Sequence, residues 1–69
     1  MTGKTLRVNG NDRDFAVRST LAEVLGELGA AQRGVAVALD GEVVGRSRWA
    51  EIVPADGSRL DVLTAVQGG

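Results

Sequence analysis

Only one segment of this chain carries the periodicity of a helix, and it is short. Thr20 with Glu23 three residues later is the capping-box signature, in which hydroxyl and carboxylate satisfy the amides of a helix N-terminus. Leu21, Val24, Leu25 and Leu28 follow at i, i+3, i+4 and i+7 and form a single apolar stripe. Gly29 stands where a left-handed residue would end the helix. Gly26, inside it, costs about 1 kcal/mol relative to alanine, which close packing against a neighbour would offset. With no second helix to lie on, the stripe must be covered by strands.

Strand patterns surround it. Thr5-Leu6-Arg7-Val8 and Asp14-Phe15-Ala16-Val17 alternate with period two, separated by the turn-forming cluster Asn9-Gly10-Asn11-Asp12. A hairpin is expected there, with Leu6, Val8, Phe15 and Val17 on its buried face. After the helix, Ala30-Ala31-Gln32-Arg33-Gly34 reads as a linker. Val35-Ala36-Val37-Ala38-Leu39 is a strand with large residues on one face and alanine on the other. Asp40-Gly41 signals a second hairpin, returning through Glu42-Val43-Val44. Residues 46–57 have no clean period; Trp49 and Ile52 read as plugs onto the core, and Pro54 with Asp56-Gly57 as a turn. A last strand runs from Arg59 to Val66. A central slot beside the first strand would hide its polar backbone groups. The expectation is an α+β, β-grasp (ubiquitin-like) fold: a mixed sheet of four to five strands with one helix on one face. Its domain would span residues 1–66, with residues 67–69 a flexible tail.

Composition narrows the chemistry. At 69 residues the chain is one domain near the lower size limit for unaided folding. It has no cysteine and no histidine, so thiolate metal sites, Cys nucleophiles and Ser-His-Asp triads are excluded. The net charge is −1 with the signs interspersed, and only Phe15 and Trp49 would stack on bases, so no nucleic-acid partner is expected. No apolar run suggests a signal peptide or a membrane span, and a soluble cytoplasmic domain is the default.

The chain stops at Gln67-Gly68-Gly69. Two glycines after an apolar strand make a tail without side chains, able to lie in a narrow cleft of another protein and present a carboxylate there. That carboxylate is an anion at neutral pH and a poor electrophile until activated. Along the last strand, Leu60, Val62, Thr64 and Val66 share one face and Asp61, Leu63 and Ala65 the other. If the first set packs on the helix, Leu63 and Ala65 form an exposed apolar strip near the tail, suited to docking. Asp56 and Asp61 read as turn and surface residues, and nothing suggests a metal site.

Along essentially its whole length the chain resembles the ThiS family, the sulfur carriers of thiamine biosynthesis, and three segments of its second half carry the resemblance. The match is carried by Val35-Ala36-Val37-Ala38-Leu39 with Glu42-Val43-Val44, and by Arg46-Ser47-Arg48-Trp49-Ala50 with Asp56-Gly57. Its most specific part is Val62-Leu63-Thr64-Ala65-Val66-Gln67-Gly68-Gly69. Gly45 stands where family members often have proline, which loosens the backbone there. The resemblance implies a protein cosubstrate rather than an enzyme. A ubiquitin-activating-enzyme-like adenylyltransferase would adenylate the Gly69 carboxylate with Mg-ATP, and a sulfur donor protein would then convert it to a thiocarboxylate for thiazole synthase. Gly69 would carry the sulfur, Gly68 would give steric clearance, and Gln67 and Val66 would position the tail, with no cofactor bound by the chain itself. A carrier for molybdopterin or cysteine synthesis, and a non-covalent β-grasp binding module, stay open as alternatives.

Overall fold

The computed structural model describes residues 3–30 and 34–64, with the side chain of Thr64 left aside. The elements are β1 (Gly3–Val8), β2 (Asn11–Ala16), α1 (Leu21–Glu27), β3 (Val35–Leu39), β4 (Glu42–Val44), a 3-10 helix (Arg46–Glu51) and β5 (Arg59–Thr64). They form one five-stranded sheet in the order β2-β1-β5-β3-β4, with β5 parallel to β1 and antiparallel to β3. This is the mixed, helix-covered sheet expected of a β-grasp, and the last strand occupies the central slot.

Both hairpins are set by their turn residues. Asn9 (φ 49°) and Gly10 (φ 86°), then Asp40 (φ 52°) and Gly41 (φ 86°), take the left-handed conformations of a two-residue turn whose twist matches the flanking strands. The first turn pairs Val8 with Asn11, so Asn11 and Asp12 belong to the strand rather than to the turn cluster. This register also corrects the expected burial of Val17. Pairing ends at Gly3 with Ala16, the chain then bends through a Ser19 N–H to Ala16 C=O bond of 3.0 Å, and Val17 is left 47% exposed.

Helix α1 starts as its capping box dictates. The Thr20 hydroxyl accepts the Glu23 N–H at 3.1 Å and the Glu23 carboxylate accepts the Thr20 N–H at 2.8 Å. It ends in a Schellman motif: Gly29 N–H donates to Gly26 C=O at 3.1 Å and Ala30 N–H to Leu25 C=O at 2.8 Å. Leu21, Val24 and Leu25 are fully buried against Leu6, Val8, Phe15, Val37, Trp49 and Leu60. Gly26 offers no close packing, since a Cβ there would meet nothing within 4 Å.

The aperiodic stretch opens with the 3-10 helix, which packs against α1, and continues without regular structure to β5. Trp49 is 4% exposed and its indole N–H donates to Val44 C=O at 3.2 Å, while the Arg46 guanidinium lies 5.0 Å from the ring centroid. Trp49 is therefore a structural plug, and Ile52 packs on the same core. Next to it lies Lys4, a buried lysine on the core face of β1. Its ammonium donates to Ser19 C=O at 2.9 Å and to Pro54 C=O at 2.7 Å, joining β1 to the entry of α1 and to the loop before β5.

Candidate functional site

Helix α1 covers one face of the sheet, and residues alternate across each strand, so the register assigns the other face residue by residue. On β5, Leu60 and Val62 face the core while Arg59, Asp61 and Leu63 face away. Leu63 pairs with Ala36, Asp61 with Ala38, and Ala38 with Val43. Leu63 is 66% and Val43 77% exposed. The bare face thus has an apolar half of Leu63, Ala36, Ala38 and Val43. Its other half is charged, with Arg7 and Asp12 3.4 Å apart and Arg59 and Asp61 3.3 Å apart. Both ion pairs are solvent-exposed and add little stability. They leave that half polar and nearly neutral, so the apolar half is the part suited to a dry contact.

Leu63 is exposed as the alternation in the last strand implied. Ala36, Ala38 and Val43 were missed. The alanine face of β3 was the available signal, but which face of that strand meets solvent depends on where the helix lies.

The backbone of β5 is held on both edges. On the β3 side Arg59 N–H donates to the Asp40 carboxylate at 2.8 Å and Asp40 N–H to Arg59 C=O at 2.8 Å, and pairing continues to Val35 with Thr64. On the β1 side Arg7 N–H reaches Ser58 C=O and Asn9 N–H reaches Leu60 C=O, both at 2.9 Å. There β1 turns away, and the side chain of Asn9 continues in its place. Asn9 Oδ1 accepts Val62 N–H at 2.8 Å and Asn9 Nδ2 donates to Val62 C=O at 3.3 Å. Asp56 plays a related part at the other end, its carboxylate accepting Thr5 N–H at 2.8 Å.

The sites assigned to Ala65, Val66, Gln67, Gly68 and Gly69 lie outside the described residues. Among the described residues no group of three or more His, Cys, Asp or Glu side chains is placed to hold a metal ion. Among them, too, no helix is long and apolar enough to cross a membrane.

The chain is 38% identical over 64 residues to the thiazole synthase of Paramagnetospirillum magneticum, a match that covers 93% of this chain. It spans only about a fifth of that curated relative, 20% of its length. The crystal structure of the thiamine biosynthesis protein ThiS from Geobacter metallireducens superposes with a TM-score of 0.79 at 32% identity, over 94% of this chain and 99% of that one. The model of the ThiS family matches residues 6–69, from within β1 through Gly69. With the family model matching most of its length and the fold agreeing, the chain belongs to the ThiS family.

Proposed function

We propose that this protein is a sulfur carrier of thiamine biosynthesis that works through a thiocarboxylate at Gly69. The observation that carries the reading is the extent of the family match, which runs through Gly68 and Gly69 rather than stopping with the folded domain. The chemistry requires a free carboxylate at Gly69. One of its oxygens attacks the α-phosphate of ATP, held with Mg in an adenylating partner, and pyrophosphate leaves. A hydrosulfide-level sulfur nucleophile then attacks the acyl carbon and AMP departs, leaving the C-terminal thiocarboxylate. No electrons change hands in either step. In this reading the partner supplies the acid, the base and the metal. The chain's part is to be held, threaded and released, and for this reason we read it as a cosubstrate and not a catalyst.

Within this reading the apolar half of the bare sheet face is the handle. Leu63 lies on β5, the strand that leads into the tail, with Ala36 and Ala38 beside it on β3 and Val43 beyond them on β4. A partner gripping this face holds the root of the segment it must thread. Thiazole synthase is the proposed consumer of the sulfur; a protein of that name contains a segment similar to nearly all of this chain. Gly68 keeps the tail narrow, Gln67 and Val66 are the proposed contacts at the mouth of the partner's cleft, and Ala65 belongs with Leu63 to the proposed docking strip.

The test is intact-mass spectrometry after incubation with an adenylating partner, Mg-ATP and sulfide. The expected product has one oxygen replaced by sulfur, and the form lacking Gly69 stays folded and unmodified. An unchanged mass with a partner that is active on another ThiS protein would remove the carrier reading.

A further inference from the structure

We propose that Asn9 is a positioning residue for the tail: its side-chain amide stands in for a strand peptide and fixes the direction in which β5 leaves the sheet. This rests on the reading of Gly69 as the reacting terminus. The geometry comes from the described residues alone. Strand β1 pairs with β5 only as far as Val8 with Leu60, because the Asn9-Gly10 turn then carries the chain back into β2. The next outward-pointing peptide group on that edge of β5 belongs to Val62. Its N–H and C=O are both taken by Asn9, through Oδ1 at 2.8 Å and Nδ2 at 3.3 Å. A primary amide is the side-chain group that offers one acceptor and one donor in the arrangement of a peptide bond.

The same residue must also take φ 49° to close the hairpin, a conformation asparagine tolerates better than most residues. Hairpin turn and strand clasp are thus one device. The consequence lies at the end of the chain. Gly69 stands five positions after Thr64, a separation of at most roughly 17 Å for an extended chain. A change of about 10° in the direction of the root would move the tip by about 3 Å, whereas misplacement of reacting atoms by about 1 Å can cost on the order of a hundredfold in rate. Pairing with β3 alone holds one edge of the strand and leaves it free to twist about that edge.

Asn9→Gly is the informative variant, since glycine keeps the turn's positive φ and removes only the clasp. Two measurements separate the possibilities. In native-state hydrogen exchange the Val62 amide should exchange about tenfold faster in Asn9→Gly than in the parent, the loss of one ordinary hydrogen bond. The Asp61 amide, on the β3 side, should change little. In the thiocarboxylation assay Asn9→Gly should lower kcat at least tenfold with KM little changed, because the docking face is intact. Unchanged Val62 exchange would refute the clasp. Accelerated exchange with an unchanged kcat would refute the positioning role. Failure of the parent protein itself to be thiocarboxylated would overturn the carrier reading, and the positioning role with it, while the exchange result would still decide the clasp.

Discussion

Replacing Lys4 by methionine should destabilise the domain by about 3 kcal/mol. Lys4 is 3% exposed, and its ammonium donates to Ser19 C=O at 2.9 Å and Pro54 C=O at 2.7 Å. Hydrogen bonds to charged groups contribute about 1.5–3 kcal/mol each, so the pair contributes about 3–6 kcal/mol before the cost of burying the charge. That cost is real: burial holds the Lys4 pKa below its ordinary 10.5, with Glu23 pulling the other way. Methionine matches the length and restores apolar contact but donates nothing, and each stranded carbonyl costs about 1–3 kcal/mol. Relief of the buried charge offsets part of this, which leaves about 2–4 kcal/mol. A domain of this size has only about 3–10 kcal/mol in total. Urea unfolding followed by the fluorescence of Trp49, the only tryptophan, would measure it. A Lys4→Met midpoint equal to or above the parent's would refute the reasoning, and would mean that desolvation cancels both bonds.

The sign of the pH dependence follows from the same group. Because the folded pKa lies below the unfolded one, the unfolded chain binds more protons between the two values, and stability rises with pH through that window up to about 10.5. The neutral amine still has two N–H groups for the two carbonyls. The stability gap between the parent and Lys4→Met should therefore widen as pH approaches 10.5, and a narrowing gap would contradict the assignment.

Three other outcomes are expected. Gly26→Ala should stabilise the protein by about 1 kcal/mol, since the added methyl meets nothing and helix propensity improves; a lower urea midpoint would show an unseen contact. Leu63→Asp should leave stability within about 0.5 kcal/mol but raise the KM for the adenylating partner at least tenfold, and an unchanged KM would take this face out of docking. Trp49→Phe should cost about 1–2 kcal/mol through the lost bond to Val44 C=O and the smaller ring, read from the shift in thermal midpoint.

Local physics made much of this protein legible from its sequence. The capping box, the i, i+3, i+4 stripe and the Asn9-Gly10 and Asp40-Gly41 turns each act within a few residues, and each appears in the structure as read. The central place of the last strand was also readable, because an apolar strand that late in the chain needs two neighbours. The diglycine stood out as a narrow, side-chain-free segment, and it was the family resemblance that made Gly69 a candidate reacting group. What the sequence did not disclose depends on contacts between distant segments. Val17 looked like a core residue by alternation, and only the register of the hairpin put it past the end of β2. Nothing in the local pattern marked Lys4 as buried, and only the meeting of β1 with the Ser19 and Pro54 carbonyls made its burial tolerable. Ala36, Ala38 and Val43 joined Leu63 on one face only because β3 pairs with both β4 and β5. Asn9 read as a turn residue. Its second use, clasping Val62 across 53 positions of sequence, exists only where the fold brings the hairpin tip beside the root of the tail.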